Sequence, residues 1–442
     1  MHRVTSGYRR PARASSCRAF WRYSAAFVTF ARRKLQFCPM PVHARIQHAS
    51  VLCLCALLIG LTFPLRALAA DPEPLSPDTQ KALEAAVAKE LKAYGGKDPI
   101  PGAVVGVWIP GKAPFLKGIG LSDIAPAKPI AIDDKFRVGS NTKTFVVTVL
   151  LQLVDEKKLS LEDTISKFDL GVTVPNADKI TVTQLCQMES GLPDVYNVPE
   201  MDKIDITVNS KFTAKQLVDI AGKQPPLFAP GAKWNYSNTN YLLLGMIIEK
   251  VTGHTVADEI KNRLLVPLEL KNTSYPVTDP AMPTPFSHGY VLNKSGNWED
   301  NTVSLPPSLT GAAGVMVSDM ADMKKWVKAY VTGSTNSAAT QKARLTCVPI
   351  GVEDLSFGLG IGCSGGWYGY TGGIPGYNTG AYYFPEKDAT IIAFVNSQVE
   401  KPEPGVANSI VRDFTQILFP NNVAFPPPGK PNQTAEKAPT AH

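Results

Sequence analysis

Strand-like sequence occurs in two blocks at opposite ends of this 442-residue chain, with helical sequence between them. Residues 102–109 (GAVVGVWI) and 114–121 (PFLKGIGL) are short apolar runs joined through Pro110-Gly111, a hairpin signal. Comparable runs return only at 355–363 (LSFGLGIGC), 377–384 (YNTGAYYF) and 390–396 (TIIAFVN). Two distant blocks are most economically joined in one sheet. The predicted fold class is therefore α+β, an α/β sandwich. Its antiparallel sheet is built from both chain ends, flanked by helices, and carries a large, mostly helical insertion. Residues 71–136 and 311–420 form the sheet part and residues 137–310 the helical part.

Helical periodicity marks 78–94, with Asp78 as cap and Gly95-Gly96 as stop. From Ser140 onward, Phe145, Val146, Val149, Leu150 and Leu153 form one apolar face. Further helices are expected at 239–251, 319–331 and 405–418, while the Pro-rich stretch 421–442 reads as a flexible tail.

The formal charge of +7 suggests nucleic acid until its location is considered. Residues 1–70 hold eleven Lys and Arg and no acid, which leaves 34 basic against 38 acidic residues in the remainder. No bulk electrostatic signal for nucleic acid survives. Within 1–70, Arg45 precedes the apolar run Val51–Phe63, and Ala67-Leu68-Ala69-Ala70 follows. That is the pattern of an export signal cleaved after Ala69 or Ala70. The run is too short for a comfortable bilayer span of ~20 residues. Met40 is the better start, giving a thirty-residue leader. A periplasmic or secreted protein without a stable membrane span in its mature form is expected. Export implies an oxidising compartment. Three cysteines remain in the mature chain; Cys347 and Cys363 are the expected disulfide, and Cys186, in an apolar helical pattern, a buried free thiol.

Ser140-Asn141-Thr142-Lys143 opens the first long helix of the middle segment. A Ser and a Lys three residues apart share one helix face. At a helix N-terminus, free N–H groups favour developing negative charge, and a lysine in a low-dielectric pocket loses proton affinity and serves as a base. The pair supplies a nucleophile and its activator. The same spacing also describes a Ser cap beside a solvated Lys, but this is the only Ser-x-x-Lys in the chain. After export only His254, His288 and His442 remain, and each suits a structural or exposed place. Gly362-Cys363-Ser364-Gly365-Gly366 matches G-x-S-x-G, yet glycine and strand follow it where a nucleophile elbow needs a helix.

Five stretches, in order, resemble the branch of serine hydrolases that joins class C β-lactamases, exported D-Ala-D-Ala carboxypeptidases (penicillin-binding proteins) and related esterases. They are FRVGSNTKTF (136–145), ITVTQLCQMESGLPD (180–194), YSNTNYLLLG (236–245), GAAGVMVS (311–318) and YTGGIPGYN (370–378). The resemblance runs from about Leu75 to Pro420, with 71–420 as the hydrolase domain. It implies that Ser140 is the acylated nucleophile, that Lys143 deprotonates it and that Tyr236 carries a proton to the leaving group. It also implies that Asn238 contacts the substrate amide or Lys143. The N–H groups of Ser140 and Gly373 would form the oxyanion hole, and Tyr370, Thr371 and Gly372 a sheet-edge strand that binds substrate.

The sequence departs from that pattern at one position. The third motif usually begins with Lys or His; here it begins with Tyr370, and residues 355–373 contain no Lys, Arg or His. A substrate carboxylate is ordinarily held by a cation. The family default is a cell-wall peptide of the D-Ala-D-Ala type, with β-lactam hydrolysis a further possibility. Tyr370 favours carboxyl esters or neutral D-amino-acid amides, with more of the base role falling to Lys143. A non-catalytic, penicillin-recognising envelope protein would be expected to carry a damaged Ser-Lys-Tyr set, which this sequence does not. No cofactor is implied, and no metal, since no His/Cys/Asp cluster has ligand spacing.

Overall fold

The computed structural model describes residues 71–399 and 405–427. The sheet is joined from the two chain ends by β1 (Gly102–Trp108) and β13 (Ala389–Val395), which pair antiparallel from Ala103 opposite Val395 to Trp108 opposite Thr390. Outward from β1 lie β2 (Phe115–Ile124) and β3 (Ala127–Pro129). Two short pairs stand apart from this sheet: β4 (Phe136–Arg137) with β7 (Val317–Ser318), and β5 (Tyr290–Leu292) with β6 (Trp298–Asp300). The remaining strands are β8 (Val348–Pro349), β9 (Ser356–Gly358), β10 (Ile361–Ser364), β11 (Trp367–Ile374) and β12 (Tyr377–Phe384). The nine-stranded order is β3-β2-β1-β13-β12-β11-β10-β9-β8.

Strands β1 and β13 are apolar along almost their whole length because both faces are covered. Period-two alternation sends Val104, Ile392 and Phe394 into one core and Val105, Val107, Ile391 and Val395 into the other. The second core lies under α1 (Pro77–Ala93) and, at the far end of the chain, α10 (Val406–Leu418). The first is built with α2 (Thr142–Asp155), α3 (Val182–Cys186), α4 (Ala214–Gly222), α5 (Asn238–Thr252), α6 (Val256–Ile260), α7 (Pro307–Gly314), α8 (Met320–Thr332) and α9 (Ala338–Leu345). Helix α2 is buried on nearly every side, which is why its sequence is apolar beyond a single stripe.

Several local expectations need correction. Helix α1 is capped by Ser76, whose side chain accepts from Thr79 N–H at 3.2 Å, and not by Asp78. Pro77, with its fixed φ and no N–H, takes the first helical position, so the cap falls before it. The run 355–363 is two strands, β9 and β10, because Gly360 at φ +65° turns the chain between them. Strand β11 is not at the edge of the sheet, since β10, β9 and β8 extend beyond it. Pairing with β10 stops at Gly369, however, so Tyr370–Ile374 is hydrogen-bonded only to β12 and presents a free edge on the other side. Residues 421–427, read as the start of a flexible tail, stay packed: Ala424 is buried, its N–H bonding Thr415, and Phe425 N–H donates to Ser364 Oγ at 2.9 Å.

Cys347 and Cys363 form the expected disulfide, tying the segment after α9 to β10. Cys186 is buried and free, and burial pushes its thiol up to about 12. The expected leader, the Met40 start and residues 428–442 lie outside the described residues. Among the described residues, no helix is long and apolar enough to cross a membrane.

Candidate active site

A 3₁₀ turn, Gly139–Asn141, leads into α2 and places Ser140 at the mouth of that buried helix. Gly139 has φ +50°, and a Cβ there would stand 2.9 Å from the backbone of Gly373, so glycine is required twice over. The same close approach locks the turn to β11. Gly372 lies so near that a Cβ would meet Val138 O at 2.0 Å. Thr379 Oγ1 donates to Val138 O and accepts from Asn141 Nδ2, at 3.1 and 3.0 Å.

One turn into α2, Lys143 is fully buried and directed back at Ser140. Its Nζ lies 2.9 Å from Ser140 Oγ, 2.8 Å from Asn238 Oδ1 and 2.6 Å from Ala313 O. A neutral amine has two N–H groups and one lone pair. Donating to Asn238 and Ala313 leaves that lone pair for the Ser140 hydroxyl, the arrangement a general base needs. Burial lowers the lysine to about 7, and the nearby Asp194 charge opposes that shift.

Tyr236 and Asn238 flank Ser237, whose backbone is extended, so they face one side while Ser237 turns away to Pro193 O at 3.1 Å. Tyr236 Oη is 2.7 Å from Ser140 Oγ, with either hydroxyl able to donate. Burial raises Tyr236 far above the ordinary phenol range, so the side chain is protonated at neutral pH. Tyr370 is buried and likewise raised; its hydroxyl sits beside that of Tyr236 without a protein partner of hydrogen-bond geometry.

A cavity of about 910 Å³ opens beside Ser140. Trp234, Phe357, Tyr370, Met201, Ile206 and Leu309 make much of its wall, with Trp234 edge-on to Phe357 and Phe357 edge-on to Tyr370. The Trp234 Nε1–H is buried without a partner among the described residues. Among the described residues the lining includes no Lys, Arg or His side chain, and its one ionisable carboxyl is Asp202.

The residues singled out in the sequence thus meet in one place. Ser140, Tyr236, Asn238, Tyr370, Thr371 and Gly373 all line the cavity, with Lys143 directly behind Ser140. Gly372 is the exception: it packs against Val138 instead of lining the cavity. Sequence reasoning missed Trp234, the Ala313 carbonyl and Asp194. Asp194 Oδ2 accepts from Asn238 Nδ2 at 2.8 Å. It lies inside the motif-bearing stretch 180–194, which was the available signal. His254 bonds Glu259 and His288 bonds Asp300, away from this site. Ser364, the serine of the decoy motif, is taken up by Phe425 N–H and is followed by a turn and β11. Among the described residues no group of three or more His, Cys, Asp and Glu is set out to hold a metal.

The β-lactamase family profile matches residues 85–416, most of the chain. The chain belongs to the β-lactamase family. Protein flp of Staphylococcus aureus (strain NCTC 8325 / PS 47) is 31% identical over 214 residues, 46% of this chain and 40% of that protein. The chain therefore spans about two fifths of the length of these curated relatives. Penicillin-binding protein 4* of Bacillus subtilis (strain 168) is 24% identical over 339 residues, 72% of each chain. Among solved structures, a D-stereospecific amidohydrolase from Streptomyces sp. is 34% identical with a TM-score of 0.64, over 73% of this chain and 95% of that one. The D-amino acid amidase of Ochrobactrum anthropi SV3 is 25% identical with a TM-score of 0.67, over 77% and 98%.

Proposed function

We propose that the protein is an exported amidohydrolase that cleaves neutral, apolar D-configured amides, and esters of similar shape, through an acyl-enzyme on Ser140. The observation that carries this reading is the cavity wall. Among the described residues it offers no cation to a substrate carboxylate, and where the family pattern has Lys or His it presents the uncharged hydroxyl of Tyr370. Two unpartnered buried donors, Tyr370 Oη and Trp234 Nε1, suit neutral acceptor oxygens. The aromatic wall suits an apolar side chain. D-configuration is taken from the Streptomyces and Ochrobactrum neighbours, and export from the leader pattern in residues 51–70.

In this reading the Ser140 proton passes to neutral Lys143 as Oγ bonds the substrate carbonyl carbon. The carbonyl electron pair moves onto oxygen, between the N–H groups of Ser140 and Gly373. The C–N bond then breaks, and the leaving nitrogen takes the proton from Lys143 through Tyr236. Water, activated by the same lysine, releases the acid. The free edge of Tyr370–Ile374 holds the substrate backbone as an added strand.

A cell-wall D-Ala-D-Ala peptidase is the second reading, favoured by the likeness to penicillin-binding protein 4* over 72% of each chain. Initial rates on D-phenylalanine amide, its L-enantiomer, an N-acyl-D-Ala-D-Ala peptide and a penicillin separate the two. The D-amide is expected to give the highest kcat/KM. A kcat/KM highest on the carboxylate-bearing peptide would replace the first reading with the second.

A further inference from the structure

Behind Lys143 runs a chain of hydrogen bonds that the proton transfer itself does not use. Asn238 Oδ1 accepts from Lys143, and Asn238 Nδ2 donates to Asp194 Oδ2, each at 2.8 Å. An ionised carboxylate only accepts. It therefore draws the amide nitrogen of Asn238 to itself and forces the amide oxygen toward the lysine. We propose that Asp194 is a positioning residue for acyl transfer: through Asn238 it aims Lys143 at Ser140 and supplies the counter-charge for the ammonium that acylation creates. This inference rests on Ser140 and Lys143 acting as proposed above.

Asp194 is placed firmly enough for that task. It is buried, its Oδ1 accepts from Tyr196 N–H at 3.1 Å, and the flanking segment is stitched to the start of α5. Pro193 O accepts from Ser237 and Thr239, Val195 N–H donates to Thr239, and Ser190 bonds Asn240. Among the described residues Asp194 is the one charged group acting on Lys143. From α5 and the residues before it, the phenol rings of Tyr241 and Tyr236 face the ammonium, at 5.3 and 5.0 Å. Among the described residues α7 contributes the Ala313 carbonyl, and from β11 the Tyr370 hydroxyl lies beside that of Tyr236. Among the described residues nothing else offers the protonated lysine a negative charge. Burial raises Asp194 above the ordinary carboxyl range, with Lys143 and the Asn238 and Tyr196 hydrogen bonds acting the other way.

Removing the charge lowers the proton affinity of Lys143, so the acid limb of the pH–rate profile moves down. The test measures kcat/KM from pH 5 to 9 for the full chain, with a p-nitrophenyl ester as probe. Wild type is compared with Asp194→Asn and Asp194→Ser, each checked by circular dichroism. Both replacements can still accept the Tyr196 N–H, but neither then offers Asn238 Nδ2 an acceptor: the asparagine amide nitrogen only donates, and serine is too short to reach. The expected result is an acid limb lowered by ~0.5–2 pH units in both variants. The plateau falls by about tenfold or more in both variants. If either folded variant keeps the wild-type limb, Asp194 is only a turn cap and the inference is overturned. If wild type itself shows no Ser140-dependent ester cleavage, the functional reading has failed instead, a separate outcome read from the Ser140→Ala control.

Discussion

Lys143 is the residue on which the proposed chemistry turns. With Tyr370 in place of a cation, no second positive charge acts on Tyr236, and burial holds that phenol protonated. In the proposed mechanism the base is then the lysine, lowered to about 7. Because a lowered lysine is neutral above that value, kcat/KM is expected to rise through about pH 7 and to fall about tenfold per unit below pH 6. A pH profile for a neutral ester reads this directly, and a flat profile between pH 5 and 8 would contradict it. Tyr370→Lys is expected to raise kcat/KM on a carboxylate-terminated D-Ala-D-Ala peptide by ~10–100-fold, the worth of a charged hydrogen bond. It should bring no matching gain on a neutral amide, and equal change on both substrates would argue against Tyr370 as the selector. Ser140 and Lys143 were legible in the sequence because one helical turn brings them together. Asp194 was not, because it reaches Lys143 only through Asn238, 44 positions away in one direction and 95 in the other.

At the scale of elements, the catalytic turn is held by the sheet more than by its own helix. Gly139 and Gly372 let the turn and β11 touch backbone to backbone. Gly372→Ala would drive a methyl into Val138 O and is expected to cost about 3 kcal/mol or more, with activity lost in step. Denaturant unfolding checks this; a wild-type midpoint would mean the strand and turn can part without penalty. Most elements were visible as periodicity: β1, β13, α2 and α5 appear within a residue or two of their expected bounds. What periodicity could not give was register. The run 355–363 hid a turn at Gly360, and the half-paired state of β11 depends on where β10 stops, which is decided across the sheet.

At the scale of the whole molecule, the two chain ends close one sheet, and each face carries its own core. The legible part of this was the separation of strand blocks by helical sequence. The packing of 421–427 under β12 was hidden by its proline-rich composition, which reads as tail. The cavity is bounded on one side by β10, and β10 is tied to the chain after α9 by the Cys347–Cys363 disulfide, a closure of 16 positions. Cys347→Ser with Cys363→Ser is expected to lower unfolding stability by ~3 kcal/mol. Calorimetry tests this, and an unchanged Tm would remove the disulfide from the account of stability. The central claim is that Ser140, driven by Lys143, carries the acyl group. It is tested most directly by acid-quenching the protein during turnover of p-nitrophenyl acetate and recording its intact mass. One acetyl group is expected on wild type, mapped to the peptide containing Ser140 and missing from Ser140→Ala; an equal adduct on Ser140→Ala would contradict the account.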